Sequence, residues 1–238
     1  MNQEFNMKKL TALLLGTVIG IAFTASDALA ENPVMKYLKS DDGRTGGYLG
    51  VAYTHGGIDD VKASYLTGDD GGSKSTWKLD GGRGARAQFG FDFGKVRFDW
   101  RLAAVHSRVS AIDGSLDPNH GNEAVLGYST FNFALDLYRF NLLKQNFVEL
   151  SLTPYVGAGV GYGGALMTGK KLGNRQGTDP AGHGSAWTWE AGVLLNVFDF
   201  AGITAGYNYL NMELNGHGTV TGSTVESHFG SVGVRFTY

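Results

Sequence analysis

The chain has 238 residues, with 37 Gly, 4 Pro, no Cys, 12% aromatic residues and a formal net charge of −2. The missing cysteine excludes disulfide staples, thiolate catalysis and cysteine-ligated zinc or iron–sulfur sites. Near-neutral charge offers no basic field for nucleic acid, and the aromatic content opposes both disorder and a collagen-like reading of the glycine.

Lys8 and Lys9 precede an apolar run from Leu10 to Phe23, and Ala28-Leu29-Ala30 follows as a small-x-small cleavage pattern. This predicts a secretory signal peptide over residues 1–30, cut after Ala30, with Met7 as an alternative start. A membrane anchor is the competing reading, but Thr11, Gly16, Thr17 and Gly20 dilute a run already short for a span. Residues 31–45 are then a periplasmic N-terminal arm, and residues 46–238 the folded body.

From residue 47 the dominant period is two, the signature of strands with two unlike faces. Leu49, Val51 and Tyr53 alternate with Gly50, Ala52 and Thr54; Ala85 to Phe93 alternates with Arg86, Gln88, Gly90 and Asp92. After the turn Gly94-Lys95, Val96, Phe98, Trp100 and Leu102 alternate with Arg97, Asp99 and Arg101. Five more segments follow, near 125–137, 148–162, 187–197, 203–209 and 231–238, which makes an even total of eight. Connections alternate in length. Gly94-Lys95, the stretch near 141–146 and Asp199 to Gly202 are short, whereas about 55–83, 107–123, 165–184 and 212–224 are long and polar. Short periplasmic turns opposite long extracellular loops are the pattern of outer-membrane barrels.

A soluble sandwich would also alternate, burying its apolar faces against each other. Lipid is favoured because several segments reach the 9–11 residues needed to cross a bilayer. Aromatics also cluster near the ends of the apolar faces: Phe93, Phe98, Phe147, Phe236 and Tyr238 on the turn side, Tyr53, Tyr162, Trp187 and Tyr209 on the loop side. The small, Gly-rich polar faces suit a narrow interior. The expected fold is all-β, an eight-stranded antiparallel up-and-down transmembrane barrel.

Thr153-Pro-Tyr-Val-Gly-Ala-Gly-Val-Gly-Tyr162, Gly206-Tyr-Asn-Tyr-Leu210 and Ser231-Val-Gly-Val-Arg-Phe-Thr-Tyr238 resemble the opacity-protein and outer-membrane-protein-A-like barrel superfamily over roughly residues 46–238. The resemblance implies the barrel alone, without the peptidoglycan-binding domain of larger relatives. It is specific for fold and spans adhesins, surface antigens and envelope-structural proteins. It also implies that Val232, Val234, Phe236 and Tyr238 form a C-terminal signal read by the barrel-assembly machinery, with Tyr where Phe is commoner.

Nine charges face one narrow interior: Arg86, Arg97, Arg101 and Arg235 against Asp92, Asp99, Asp136, Glu149 and Glu190. They should pair, because an unpaired buried charge costs several kcal/mol or more. As a set they form a structural plug or, alternatively, a gated ion path. Gly159-Val-Gly-Tyr-Gly-Gly164 matches a dinucleotide fingerprint, but it lies on an alternating strand with no helix to open. Its glycines more simply make room across the lumen. His55, His106, His120, His183, His217 and His228 all fall at loops or strand ends without metal-ligand spacing. His183 and Ser185 share the lipid-facing parity that lipid A chemistry would want, but Glu190 has the opposite parity.

The expected protein is therefore not an enzyme and holds no cofactor or metal. It is an outer-membrane surface protein of adhesin or surface-antigen type, with a small gated ion channel and a lipid A-modifying enzyme as alternatives. Expected partners are outer-membrane lipid and lipopolysaccharide, the assembly machinery and an extracellular ligand; the barrel is expected as a monomer. Tyr65, Trp77, Lys78, Met167, Lys170, Lys171 and Met212 are read as loop residues facing a partner.

Overall fold

The computed structural model describes residues 45–65, 74–112, 115–116, 122–145, 148–168, 181–198, 200–216 and 220–238. The expected signal peptide, its cleavage residues Ala28 and Ala30, and all of the arm but Thr45 lie outside them. The described residues hold β1 (Gly46–Ile58), β2 (Val61–Tyr65), β3 (Lys74–Leu79), β4 (Gly82–Asp92), β5 (Val96–Ile112) and β6 (Ser115–Leu116). They continue with β7 (Glu123–Asp136), β8 (Phe140–Gln145), β9 (Val148–Thr168), β10 (Ala181–Phe198), β11 (Ala201–Gly216) and β12 (Val220–Thr237).

Eight strands close an antiparallel ring in the order β1, β4, β5, β7, β9, β10, β11, β12 and back to β1. Closure is what lipid demands, since hydrocarbon offers no partner for a free strand edge. Stepping across paired residues from Gly50 passes Gln88, Arg101, Thr130, Gly161, Ala186, Met212 and Val225. Continuing the β12–β1 register two residues past its last pair, Ile58 opposite Ser227, brings Val225 level with Asp60, ten residues beyond the start. That stagger tilts the strands by about 40°, so each residue climbs about 2.5 Å along the barrel axis.

The outer wall is a belt of apolar side chains, among them Val51, Phe131, Val160 and Val232, each about 60% exposed or more. On β9 it runs from Leu152 to Tyr162, a height of about 25 Å, which matches the apolar band of a transmembrane barrel. Tyr53, Tyr162, Trp187, Trp189 and Tyr207 ring its upper part, and Phe236 and Tyr238 stand at its lower edge. The two-residue turn Gly94-Lys95 closes β4 onto β5, with Gly94 at a φ of 92° that glycine alone adopts freely.

The strands run well past the belt, and there the polarity of the two faces reverses. On β5, Arg97, Asp99 and Arg101 point inward, but Val105, Val109 and Ala111 follow on the same inner parity, with His106 and Arg108 outside. On β11 the inner Thr204 and Asn208 give way to Leu210, Met212 and Leu214, while Glu213 and Asn215 face out. Above the membrane the outside meets water, so the inside becomes the apolar side. Ile58, Val61, Trp77, Leu126, Val225 and Phe229 belong to the same inner cluster. The hairpin β2–β3 completes the wall at this level by pairing with β12 and β5.

Strand pairing therefore runs further into the four long connections than the sequence predicts. Trp77 and Met212, read from sequence as loop residues, are 3% and 0% exposed in the upper lumen. Lys78 is exposed on β3, Tyr65 ends β2 and Met167 lies on β9; Lys170 and Lys171 are outside the described residues. At the other end, the turn expected near residues 141–146 contains β8, paired with the start of β9 in a hairpin projecting below the belt.

Two substitutions separate the two solvents. Met212→Ala should cost about 2–5 kcal/mol through the cavity it leaves, and Phe131→Arg about 2–4 kcal/mol from a charge placed in lipid. Denaturant unfolding from vesicles measures both, and an unchanged midpoint for Phe131→Arg would remove that residue from the belt.

Candidate functional site: a charged lumen under an apolar cap

The lower lumen is built from the inward residues of all eight barrel strands, and its charges assemble in two tiers. In the upper tier Arg101 bridges two acids: its Nε and Nη2 donate to Asp99 at 2.5 and 3.0 Å, and Nη2 also donates to Glu190 Oε1 at 2.5 Å. Arg86 Nη1 donates to Asn208 Oδ1 at 2.5 Å and stands 3.6 Å from Glu190 Oε2. Tyr48 Oη donates to Asp99 Oδ2 at 2.8 Å, which ties this tier to the one below.

In the lower tier Arg235 donates to Asp92, and Arg97 touches Asp136 at 2.7 Å without hydrogen-bond alignment. Both guanidinium groups also cover aromatic rings, Arg97 over Tyr155 at 4.3 Å and Arg235 over Tyr48 at 4.2 Å. A ring face is a good partner for a cation that has lost its water. Below these pairs a vestibule of about 370 Å³, lined in part by Asp92, Asp136, Arg139 and Asn196, opens on the periplasmic side.

Four arginines thus meet four acids. Glu149 is the ninth charge expected in the set. Its backbone pairs with Lys144 on the periplasmic hairpin, beyond the closed ring, and its side chain is outside the described residues. Arg86 and Glu190, placed higher than the rest by sequence, come together beside Arg101. Tyr48, Tyr155 and Asn208 complete the network and were not singled out from sequence. Only the stagger between strands brings Asn208 to Arg86, 122 positions away.

The glycine run on β9 belongs to this lumen. A Cβ at Gly163 would collide with the Met212 sulfur, and one at Gly159 with the Asn132 amide. On the neighbouring strand β10, Gly192 pairs with Tyr155 and leaves space for its ring. Gly159–Gly164 all lie on the extended strand β9, where a phosphate-binding turn has no helix to open.

At the outer rim the described histidines face out. His228 Nδ1 meets the Tyr207 hydroxyl, and its Nε2 is 3.9 Å from Asp59; His106 is 3.5 Å from Glu123. His183 lies against the Tyr162 ring, centroids 5.7 Å apart, and Ser185 stands across from Glu213 on β11. No hydrogen bond joins His183, Ser185 and Glu213 among the described residues, and no cluster there has metal-binding geometry. His120 and His217 are outside the described residues. The outward row Val232, Val234 and Phe236 sits on β12, the strand that closes onto β1, and Tyr238 follows directly after it.

No family model and no curated protein matches the chain. Among solved structures it is similar to the outer membrane protein OprG from Pseudomonas aeruginosa, with a TM-score of 0.50 and 15% identity over 81% of this chain and 96% of that one. It is equally similar to the outer membrane protein AlkL, also at 0.50 and 15%, over 84% of this chain and 93% of that one. Neisserial surface protein A aligns at 20% identity and a TM-score of 0.47, over 82% and 99% of the two chains. Such likeness concerns the fold: an eight-stranded barrel of the outer-membrane type.

Arg101 is the keystone of the network. Arg101→Met alone should cost about 3–5 kcal/mol by stranding two buried carboxylates. Adding Asp99→Asn and Glu190→Gln should recover most of that loss. A triple variant no more stable than the single one would show that pairing is not what holds the tier together.

Proposed function

We propose that this outer-membrane barrel is a display protein, a rigid stave that carries strand tips and their connections outside the cell to meet a partner. The observation that supports it most is the reversal of polarity above the belt. The eight strands continue there as a water-facing barrel with a filled core, a form suited to presenting a surface. The lumen favours this over conduction. An ion entering from the periplasm meets paired charges and then a cap of Leu126, Leu210, Met212, Val225 and Phe229, each almost wholly buried. Such a cap offers no ligand to replace the ion's hydration shell.

Barrel insertion is expected to depend on the assembly machinery reading Val232, Val234, Phe236 and Tyr238. Tyr238→Ala should slow the appearance of the heat-modifiable band several-fold in pulse-labelled cells; an unaltered rate would discard that role. In planar bilayers the purified barrel is expected to remain silent. Stepwise currents that scale with salt would favour the ion-channel reading instead. Maleimide labelling of Arg108→Cys in intact cells should succeed, and failure there would place the upper barrel on the wrong side.

A further inference from the structure

One sector of the outer wall joins two features that display does not require. Successive cross-strand rows on β1, β4 and β5 read, from the bilayer centre upward, Val51–Ala87–Leu102, then Tyr53–Ala85–Ala104, then His55–Arg83–His106. Rows on one face are about 6.8 Å apart along the strands. The first two rows hold three alanines where other strands carry rings. With Val232 and Val234 of β12 alongside, they form an apolar groove of about 890 Å³ within the belt. The third row places Arg83 at the groove's upper end, and Arg108 follows two residues beyond His106 on the same face.

Both guanidinium groups are exposed, and neither has a hydrogen-bond or ion-pair partner among the described residues. Two acids stand nearby: Glu123 is opposite Arg108 in the ladder, with its carboxylate 3.5 Å from His106, and exposed Asp80 donates its backbone N–H to the Arg108 carbonyl. The other side of the rim has the opposite sign. Asp59, Asp60, Glu213 and Glu226 line one hollow over β1, β11 and β12, at about the height of the two arginines. Cations thus stand over the ring-poor groove, and anions over the sector crowded by Trp187, Trp189, Tyr207 and Tyr209. A lipid surface touching the barrel evenly needs no such division.

We infer that this sector is a specific site for one phosphorylated, acylated glycolipid of the outer leaflet. An acyl chain lies in the alanine-floored groove, and a sugar phosphate is held by Arg83 and Arg108. Depth selects the ligand, since the groove ends at the upper interface, where a headgroup phosphate meets the arginines while its chain stays in hydrocarbon. A phosphate forms charge-assisted bonds to two forked donors at once, and the acids opposite repel it from the other flank.

The test uses the whole mature protein in detergent, with retained lipid counted by native mass spectrometry. The probes are hexa-acylated bisphosphorylated lipid A, the same lipid without phosphates, and phosphatidylglycerol. Wild type should retain phosphorylated lipid A best. Arg83→Ala with Arg108→Ala should lower that retention roughly tenfold, equivalent to about 1.4 kcal/mol, and leave the dephosphorylated lipid unchanged. Ala85→Phe, which fills the groove, should lower retention of both lipid A forms. Heat-modifiable mobility verifies folding of each variant, with Ala104→Phe as the second groove filler. Equal retention of phosphorylated lipid A by wild type and the double arginine variant would overturn the site. So would phosphatidylglycerol bound as tightly as lipid A, or complete displacement by millimolar inorganic phosphate.

Discussion

The pairing of β12 with β1 is the constraint on which everything else rests. It runs from Tyr48 opposite Thr237 to Ile58 opposite Ser227 and leaves no strand edge in the hydrocarbon. A sheet of eight strands can close there only with a definite stagger, and the stagger sets tilt and bore together. The bore is narrow enough that Gly163 on β9 must make way for Met212 on β11, two strands away. It is also narrow enough to press four arginines and four acids into contact. Ion pairing in the lumen is therefore a consequence of ring closure, since the same side chains on an open sheet would face water.

The charges do not make the barrel stable in any simple sense. Removing an arginine and an acid from water costs more than their attraction returns unless further bonds satisfy both. Here the extra bonds come from neutral groups: Tyr48 to Asp99, Asn208 to Arg86, and the rings under Arg97 and Arg235. What the network provides is register. A slip of one residue between strands would turn Arg101 and Asp99 into lipid together.

Much of this was legible in the sequence, and the limits have physical causes. Alternation along 96–102 and 125–137 assigns each residue to a face, and the faces are as read. Strand ends are masked in the sequence because polarity changes sign at the membrane surface while the period of two does not. Leu210-Asn211-Met212-Glu213-Leu214-Asn215 continues the strand perfectly in period, but it puts the apolar set on the face that carried Thr204 and Asn208. A reader expecting an apolar exterior takes that as a loop. Partner choice within the lumen was beyond reach for another reason: it depends on stagger, which is a property of the closed ring and of no single segment.

The upper barrel has a consequence for reach. On β9 the strand continues from Tyr162 to Thr168, a rise of about 15 Å beyond the interfacial rings. That is a short pedestal. It lifts the strand tips clear of lipid headgroups but leaves them low among whatever sugar chains the neighbouring lipids bear. A bulky partner would have to thread between those chains, whereas a slender one, or the sugars themselves, would arrive unhindered.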